Sequence, residues 1–361
     1  MHLLINTGGG DAPGLNAVIR AAVLSAHSRG WKITGIRRGY HGLMDGFPSR
    51  LIKLTPRAVR GITHLGGTIL GTVNRGHPFE YPVPQPDGSM ALVDRSDEVM
   101  ANIKSLGVDG MIAIGGDGSL RIATRFMVEK GLKVIGVPKT IDNDLSSTQV
   151  TFGFDTAVTV ATEAIDRLHS TAESHNRVMV VELMGRYAGW ISLNAGLAGT
   201  ADVILLPEIP YDIDIVCRKI QSRYRGQNGF AIVVVAEGAK PKGGVLSTVG
   251  KDLGAEVRLG GAGAQVAAAI QERTGRETRS LVLGHLQRGG GPTTFDRLIA
   301  LRFGSAAVRM AEADLWGNMV AWQPPKMVPV PLQVATSRLK LVSMEQDTVI
   351  TARELGVCLG D

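Results

Sequence analysis

The sequence predicts an α/β protein with two domains built mainly on parallel sheets. The chain has 361 residues, more than one small core needs and enough for two α/β domains. Short apolar runs repeatedly lead into glycine-rich turns that are followed by amphipathic helices. The 46 glycines follow no regular period and form no low-complexity block, so they indicate many tight loops.

The first such unit lies at the N-terminus. His2–Asn6 is a short apolar strand, and a glycine-rich loop spans residues 7–14. From Leu15 onward apolar residues recur at helical spacing, and we expect this helix to end near Gly30. Such a unit can point backbone N–H groups at an anion, although a plain tight turn explains the glycines about as well. The next strand is predicted over Trp31–Ile36.

A second unit surrounds a glycine-rich turn in the middle of the first half. Met111–Ile114 is an apolar strand that leads into Gly115-Gly-Asp-Gly-Ser119, and a helix then closes near Gly131. The glycines allow the backbone to approach a phosphate chain, Asp117 can hold Mg²⁺, and Ser119 can cap the helix. The alternative is an ordinary turn that happens to contain an aspartate.

The third unit ends in the polar loop where we expect the chemistry. The apolar run Val134–Val137 stops at Pro138, which offers no backbone N–H. The loop Lys139-Thr-Ile-Asp-Asn-Asp144 follows. Ligands of open α/β sheets bind at the carboxyl ends of strands, and two carboxylates one residue apart can supply a base and help to hold a metal. Taken alone, the loop is better explained as an Asx-type turn, and three other stretches of the chain shift the balance toward a functional loop.

The rest of the chain repeats this pattern. We expect a helix capped by Asp155, a helix from near Ile191, strands over Arg177–Val181, Phe230–Ala236 and Arg279–Leu283, and a final helix from about Gln346. The proline-rich stretch 324–331 is predicted to be a linker, and residues 78–94 a surface excursion. One helical turn would place His285 and Arg288 on one face. They are either functional groups or a cluster whose hydrogen bonds cap a helix.

Composition narrows the class of partner. The net charge of +6 and the pI of about 9.4 occur without any nucleic-acid-binding motif, so we expect small anionic substrates and no nucleic acid. The two cysteines have neither metal-ligand spacing nor a disulfide framework, as in a protein of the reducing cytoplasm. With no signal-peptide pattern and no apolar run of membrane-spanning length, we expect a cytoplasmic protein without a membrane partner.

Five motifs together carry a family resemblance. They are Gly8-Gly-Gly-Asp-Ala-Pro-Gly-Leu-Asn16, Gly115-Gly-Asp-Gly-Ser119, Pro138-Lys-Thr-Ile-Asp-Asn-Asp144, Met184-Gly-Arg-Tyr-Ala-Gly189 and Leu283-Gly-His-Leu-Gln-Arg-Gly-Gly290. In this order, over nearly the whole chain, they resemble the motifs of the 6-phosphofructokinase family. The second motif alone also resembles lipid and NAD kinases, whereas the combination is highly specific.

The resemblance implies two Rossmann-like three-layer α/β domains with the active site in the cleft between them. Residues 1–150 plus about 288–338 would form the phosphoryl-donor domain, and residues 151–287 plus about 339–361 the sugar-phosphate domain. The implied reaction transfers a phosphoryl group to the 1-hydroxyl of fructose 6-phosphate, with Mg²⁺ as cofactor. The implied assembly is a homodimer or homotetramer in which Arg177 reaches a neighbouring subunit.

The resemblance also implies roles for individual residues. Asp142 matches the general base, and Thr140 and Arg186 complete the catalytic group. The donor site matches Gly10, Arg75, Gly116, Asp117, Gly118 and Ser119, with Asp117 also the magnesium ligand. The sugar-phosphate site matches Thr140, Ile141, Asp142, Arg177, Met184, Gly185, Arg186, Glu237, Arg279, His285 and Arg288. These types suit phosphoryl transfer, which needs a positioned carboxylate and cations that offset the substrates' negative charges.

Two positions bear on the phosphoryl donor. Gly118 leaves room for the α-phosphate of a nucleotide. An aspartate there would fill that space and repel the phosphate. Lys139 points the other way, because a lysine at this position resembles the pyrophosphate-using enzymes. Together they resemble a mixed subgroup whose members use ATP. We expect ATP because steric exclusion is harder to evade than an added attraction, with pyrophosphate second and ADP still open. A catalytically inactive nucleotide or sugar-phosphate sensor is the alternative from another class, but a pure binder needs no base such as Asp142.

Overall fold

The computed structural model describes residues 1–73, 76–225, 229–250 and 258–361. Its strands are β1 His2–Thr7, β2 Lys32–Ile36, β3 Leu51–Leu54, β4 Tyr81–Pro84, β5 Met90–Val93, β6 Gly110–Gly115, β7 Val134–Pro138, β8 Val178–Leu183, β9 Val203–Leu205, β10 Ala231–Ala236, β11 Thr248–Gly250, β12 Arg258–Leu259, β13 Thr278–Val282, β14 Asn318–Gln323 and β15 Lys326–Pro331. Its α-helices are α1 Leu15–His27, α2 Ser96–Ser105, α3 Asp117–Lys130, α4 Phe154–His175, α5 Trp190–Ala198, α6 Ile213–Arg223, α7 Ala262–Thr274, α8 Thr294–Glu312, α9 Leu332–Ala335 and α10 Asp347–Glu354.

The larger sheet has the order β15-β14-β7-β6-β1-β2-β3, and its neighbours from β14 to β2 are parallel. Alternate side chains of β1 enter two different cores. Leu3 and Ile5 pack in the core that includes α1 and α8, whereas Leu4 packs on the opposite face with residues of α2 and α3. Both faces of the sheet are therefore covered, which explains why its central strands are continuously apolar.

The second sheet has the order β13-β8-β10-β9 and is parallel throughout. Val181 and Val234 pack in a core with residues of α4 and α5, whereas Val180 and Val233 pack in a core with residues of α6 and α7. This sheet is thus also the middle of three layers. The predicted mainly parallel α/β class is confirmed, while the exact domain boundaries stay a prediction.

The proline-rich stretch near the C-terminus is not a linker, and that prediction is wrong. Residues 318–331 form the antiparallel hairpin β14–β15, in which Pro329 pairs with Val320 and Pro331 with Asn318. β15 is the last strand at one side of the described sheet. A proline is accommodated there because no strand on the outer side of β15 needs its backbone N–H as a donor. The predicted excursion at residues 78–94 contains the small hairpin β4–β5.

The predicted helix caps are also wrong. Helix α4 is capped not by Asp155 but by Asp296, which accepts from the backbone N–H groups of Gly153 at 2.9 Å and Thr156 at 2.8 Å. Helix α3 already begins at Asp117, so Ser119 lies inside its first turn. A residue distant in sequence replaces the local cap of α4. Among the described helices, none combines the length and apolarity needed to cross a membrane.

Candidate active site

The loops that follow β1, β6 and β7 meet at one edge of the larger sheet. Gly8 N–H donates to the Ile114 carbonyl at 2.9 Å, and Lys139 N–H donates to the Gly115 carbonyl at 2.9 Å. These bonds tie the loops together, because the three strands are parallel neighbours. The edge therefore presents the glycine-rich loop, the Gly116–Ser119 turn and the polar loop side by side.

Close packing explains why two of these positions are glycines. A Cβ at Gly8 would lie 2.7 Å from Ser119 Oγ, and a Cβ at Gly116 would lie 3.2 Å from the Lys139 carbonyl oxygen. Bare backbone therefore faces the space beyond the strands. Gly118 differs, since a Cβ there would meet nothing within 4 Å. A side chain at position 118 would therefore meet no close neighbour among the described residues.

The chain that precedes position 75 is held against the same edge. Asn16 Nδ2 donates to the carbonyls of Leu65 and Gly66, both at 3.1 Å, and Asn16 Oδ1 accepts from Ile69 N–H at 2.9 Å. The Thr72 hydroxyl donates to the Gly9 carbonyl. These contacts bring the glycine-rich segment beside the first loop. Arg75, predicted to bind the donor, lies outside the described residues.

Lys139 is a buried ammonium group inside the donor loops. Its side chain donates to the Gly10 carbonyl, and only 3% of the residue is exposed. Burial lowers the pKa of Lys139 to about 7; nearby Arg288 lowers it further, and Asp142, Asp11 and Asp144 oppose the shift. Lys139 can therefore supply positive charge to a bound anion near neutral pH.

The polar loop places two carboxylates on either side of a left-handed residue. Asn143 has φ of 51°. Asp142 N–H donates to Thr140 Oγ1 at 3.1 Å, which fixes the start of the turn. Burial raises the pKa of Asp144 to about 7, and the charges of Asp142 and Asp117 raise it as well. Three carboxylates thus share one electrostatic environment.

Residues at the ends of β8 and β10 complete this environment from the second sheet. Gly238 N–H donates to the Gly185 carbonyl at 3.1 Å, which holds the Gly185–Arg186 turn against the end of β10. Burial raises the pKa of Glu237 to about 7 and Asp142 raises it further, whereas Arg186 and Arg288 lower it. Asp142 therefore faces groups carried by the other sheet.

Arg288 connects the two sides directly. Its Nη1 donates to the Asp11 carbonyl at 3.1 Å, and a Cβ at Gly10 would lie 3.0 Å from the same nitrogen. It ends the 3₁₀ helix Gly284–Arg288, in which His285 is exposed. The site thus combines carboxylates with guanidinium groups, as the binding of an ionised sugar phosphate and its phosphoryl donor requires.

Other predicted substrate residues occupy different surroundings. Arg177 and Arg279 both pair with Glu277, at 2.8 and 2.6 Å. Ile141 is fully buried, and Met184 packs against the core of the second sheet. These contacts do not by themselves place the four residues at a substrate, so their predicted contribution to substrate binding rests on the resemblance.

From the sequence, Asp144 had only a joint role with Asp142 in supplying a base and helping to hold a metal, and Lys340 had no role. Asp144 belongs to the polar loop, and its spacing from Asp142 was the available signal. Lys340 lies in a C-terminal segment without any motif, yet its ammonium group donates to Asn143 Oδ1 at 2.9 Å. No local sequence pattern predicts the contact of Lys340 with the polar loop, because that contact depends on the tertiary fold.

The donor set suits Mg²⁺ held jointly by protein and phosphate. Asp117 lies in the first turn of α3 and pairs with Arg121 at 2.9 Å. Asp144 Oδ1 is buried and accepts no hydrogen bond from the described residues. Within those residues no three His, Cys, Asp or Glu side chains are grouped to enclose a metal. Mg²⁺ usually takes one or two carboxylates and completes its shell with water and substrate phosphates, so the residues present fit it.

Comparison with known proteins identifies the family. Residues 2–311 match the family model for phosphofructokinase. The chain belongs to the phosphofructokinase family. An ATP-dependent 6-phosphofructokinase of Chloroflexus aurantiacus is 50% identical over 355 residues, 98% of this chain and 96% of that protein. A pyrophosphate–fructose 6-phosphate 1-phosphotransferase of Streptomyces coelicolor is also 50% identical, over 345 residues, 95% of this chain and 96% of that protein.

Solved phosphofructokinase structures share the fold. The T-state crystal structure of Pichia pastoris phosphofructokinase aligns with a TM-score of 0.78 and 30% identity, covering 98% of this chain and 36% of that one. This phosphofructokinase thus corresponds to about a third of the yeast chain. The predicted family is confirmed. Because relatives of equal identity carry both donor names, overall similarity does not select the donor.

Proposed function

We propose that this phosphofructokinase transfers the γ-phosphoryl group of ATP to the 1-hydroxyl of fructose 6-phosphate. The observation that carries the proposal is the common environment of Asp142, Glu237, Arg186 and Arg288, which brings a carboxylate of one sheet to guanidinium groups associated with the other. A kinase of two anionic substrates needs this combination of a base and positive charge. The reaction places the enzyme in glycolysis.

The donor would bind along the bare backbone of the first two glycine-rich loops. Gly10, Gly116 and Ser119 offer N–H groups and space for phosphates, and the N-terminus of α3 favours negative charge. Asp117 would hold Mg²⁺ together with the donor phosphates. When bound, the ion would neutralise charge on the transferred group and on the leaving phosphate.

Asp142 would act as the general base on the sugar. Its carboxylate takes the proton of the 1-hydroxyl as the oxygen attacks phosphorus, and Thr140 fixes the loop by accepting from the Asp142 N–H. Arg186 would offset the charge that develops on the transferred group. Arg288 and His285 would bind the 6-phosphate, while Glu237, whose pKa is raised to about 7 chiefly by burial, would contact a sugar hydroxyl.

ATP is the proposed donor because position 118 is open. A Cβ at position 118 would meet nothing within 4 Å, so glycine leaves this position open to the α-phosphate of a nucleotide, which an aspartate would exclude. Pyrophosphate is the second candidate, favoured by the Lys139 ammonium group at the Gly10 carbonyl and by the Streptomyces coelicolor relative. We place more weight on Gly118, since an extra attraction at Lys139 can serve the terminal phosphates of either donor. ADP remains a third option to be assayed.

The assembly and location proposals follow the family resemblance. We propose a homodimer or homotetramer in which Arg177, with a side chain 28% exposed beside Glu277, reaches the site of a neighbouring subunit. The donor domain would comprise residues 1–150 and about 288–338, and the sugar-phosphate domain residues 151–287 and about 339–361. The enzyme would work in the cytoplasm, without nucleic acid or membrane.

Steady-state assays of the purified chain test the function. Fructose 6-phosphate, Mg²⁺ and ATP, pyrophosphate or ADP are supplied in parallel, and fructose 1,6-bisphosphate formation is coupled to NADH oxidation. ATP should give the highest kcat/KM. Robust turnover with pyrophosphate and no nucleotide would overturn the donor assignment. Tight binding of sugar phosphate and ATP without turnover by any donor would instead favour the inactive sensor.

A further inference from the structure

Lys340 reaches into the polar loop from the C-terminal segment. Its Nζ donates to Asn143 Oδ1 at 2.9 Å and to the carbonyls of Thr148 and Gln149, both at 3.1 Å. All three acceptors are neutral and lie within residues 143–149. Three bonds saturate the donors of an ammonium group, so the side chain is fully committed to this loop. Its pKa, lowered by burial to about 8, leaves the group mostly charged at neutral pH.

The residue that Lys340 holds has an uncommon backbone. Asn143 has φ of 51°, in a region that residues other than glycine rarely occupy. Its side-chain oxygen accepts from Thr151 N–H at 3.1 Å as well as from Lys340. Because Asn143 separates Asp142 from Asp144, its conformation sets the directions in which both carboxylates leave the loop.

The backbone of Lys340 joins the same loop to the second sheet. Lys340 N–H donates to the Asp144 carbonyl at 2.8 Å, and the Lys340 carbonyl accepts from Trp190 Nε1 at 2.7 Å. Trp190 begins helix α5, and its ring centre lies 5.6 Å from Lys340 Nζ. Two residues later, Val342 N–H donates to Glu208 at 2.9 Å, and Glu208 also accepts from the Gly189 N–H that precedes α5. One short segment therefore spans the polar loop and α5.

We propose that Lys340 is a positioning residue for the phosphoryl transfer. Its ammonium group stabilises the left-handed turn at Asn143 and so orients the Asp142 carboxylate, and its backbone fixes that orientation relative to α5. The inference rests on the proposed function of Asp142 as base. Misplacement of a catalytic group by about 1 Å can lower a rate by roughly 10²-fold. Loss of the ammonium group should therefore lower kcat much more than it changes either KM.

The test compares Lys340→Met with Lys326→Met. Methionine keeps an unbranched chain without a charge, and Lys326 is an exposed lysine at the β14–β15 hairpin that makes a matched control. We expect Lys340→Met to lower kcat by roughly 10- to 10²-fold, with KM for fructose 6-phosphate and for the donor within about threefold of wild type. Lys326→Met should match wild type. A Lys340→Met enzyme with wild-type kcat, in a wild type that is active, overturns the positioning role.

Amide hydrogen exchange separates this inference from the proposed function. In Lys340→Met the peptides covering residues 143–151 should exchange about tenfold faster or more, because the turn loses charge-assisted bonds. Unchanged exchange there refutes the inference even if the wild type has no kinase activity. If Lys340→Met does not fold, Lys340→Arg replaces it; the larger planar group cannot repeat all three contacts, so the same fall in kcat and faster exchange are expected, and wild-type values of both refute the inference.

Discussion

Replacing Gly118 with aspartate should separate the two phosphoryl donors. A Cβ at this position meets nothing within 4 Å, so the new side chain can be accommodated without displacing its neighbours. Gly118 is also the second residue of α3, where a carboxylate interacts favourably with the helix dipole. We therefore expect Gly118→Asp to fold normally and to gain up to about 1 kcal/mol of stability from the dipole and from the loss of glycine's flexibility.

The effect on ATP should have the opposite sign. A new carboxylate about 4 Å from one negative charge of the α-phosphate is repelled by about 1 kcal/mol in bulk water and about 4 kcal/mol at an effective dielectric constant of about 20. Since about 1.4 kcal/mol corresponds to a factor of ten, kcat/KM for ATP should fall by roughly 5- to 10³-fold. Pyrophosphate has no α-phosphate at that place, so its kcat/KM should be unchanged or higher.

The assay measures kcat/KM for ATP and for pyrophosphate in wild type, Gly118→Asp and Gly118→Asn. Asparagine has nearly the same shape without the charge, so the difference between the two variants isolates repulsion from loss of space. Thermal unfolding of each variant confirms that the fold is retained. The reasoning is refuted if Gly118→Asp keeps the wild-type kcat/KM for ATP, or if both donors lose activity equally.

Three further changes test other parts of the site. Asp142→Asn should lower kcat by roughly 10²–10⁴-fold with little change in KM, and near-native turnover would remove Asp142 from the role of base. Lys139→Met should be more stable than wild type at pH 7. Lys139 has a pKa near 10.4 in the unfolded chain but of about 7 in the folded protein, so above about pH 7 the unfolded chain holds a proton that the folded protein has released. The free energy of unfolding of the wild type should therefore rise between about pH 7 and 10, and that of Lys139→Met should lack this rise. Parallel plots of Tm against pH would contradict this assignment. Asp296→Ala should cost about 3 kcal/mol in urea unfolding with unchanged KM, because it leaves buried N–H groups at the start of α4 unpaired; a loss below about 1 kcal/mol would contradict it.

The loops of the candidate site could be predicted because their signals are local. An apolar run of strand length, a glycine turn and a polar residue such as Asp117 or Asp142 are all readable within about ten residues. The topology then places the carboxyl ends of parallel neighbours at one edge. Which charged side chains of the two sheets influence one another, as Asp142 influences the pKa of Glu237, depends on the arrangement of both sheets and cannot be predicted from either motif.

The helix caps could not be predicted for a physical reason. Asp155 satisfies the local rule for α4, yet buried Asp296 takes the role from 140 residues away. Glu208 similarly accepts from Gly189 N–H before α5, and Glu182 accepts from Gly263 N–H at the start of α7. A buried carboxylate needs donors and a helix N-terminus offers unpaired ones, so tertiary packing satisfies both groups at once. The pairing of a buried carboxylate with a distant helix N-terminus therefore cannot be predicted from sequence spacing.

A raised carboxylate pKa does not by itself separate a binding site from a structural one. Burial raises the pKa of Asp296 to about 6 and that of Asp144 to about 7. Asp296 accepts three hydrogen bonds, two from backbone N–H groups and one from the Thr156 hydroxyl, so its charge is already stabilised by the protein. Asp144 keeps a buried oxygen that accepts no bond from any described residue. The energetic cost of that oxygen is offset only when a cation or a hydrogen-bond donor binds beside it, so we expect a bound ligand to contact Asp144 rather than Asp296.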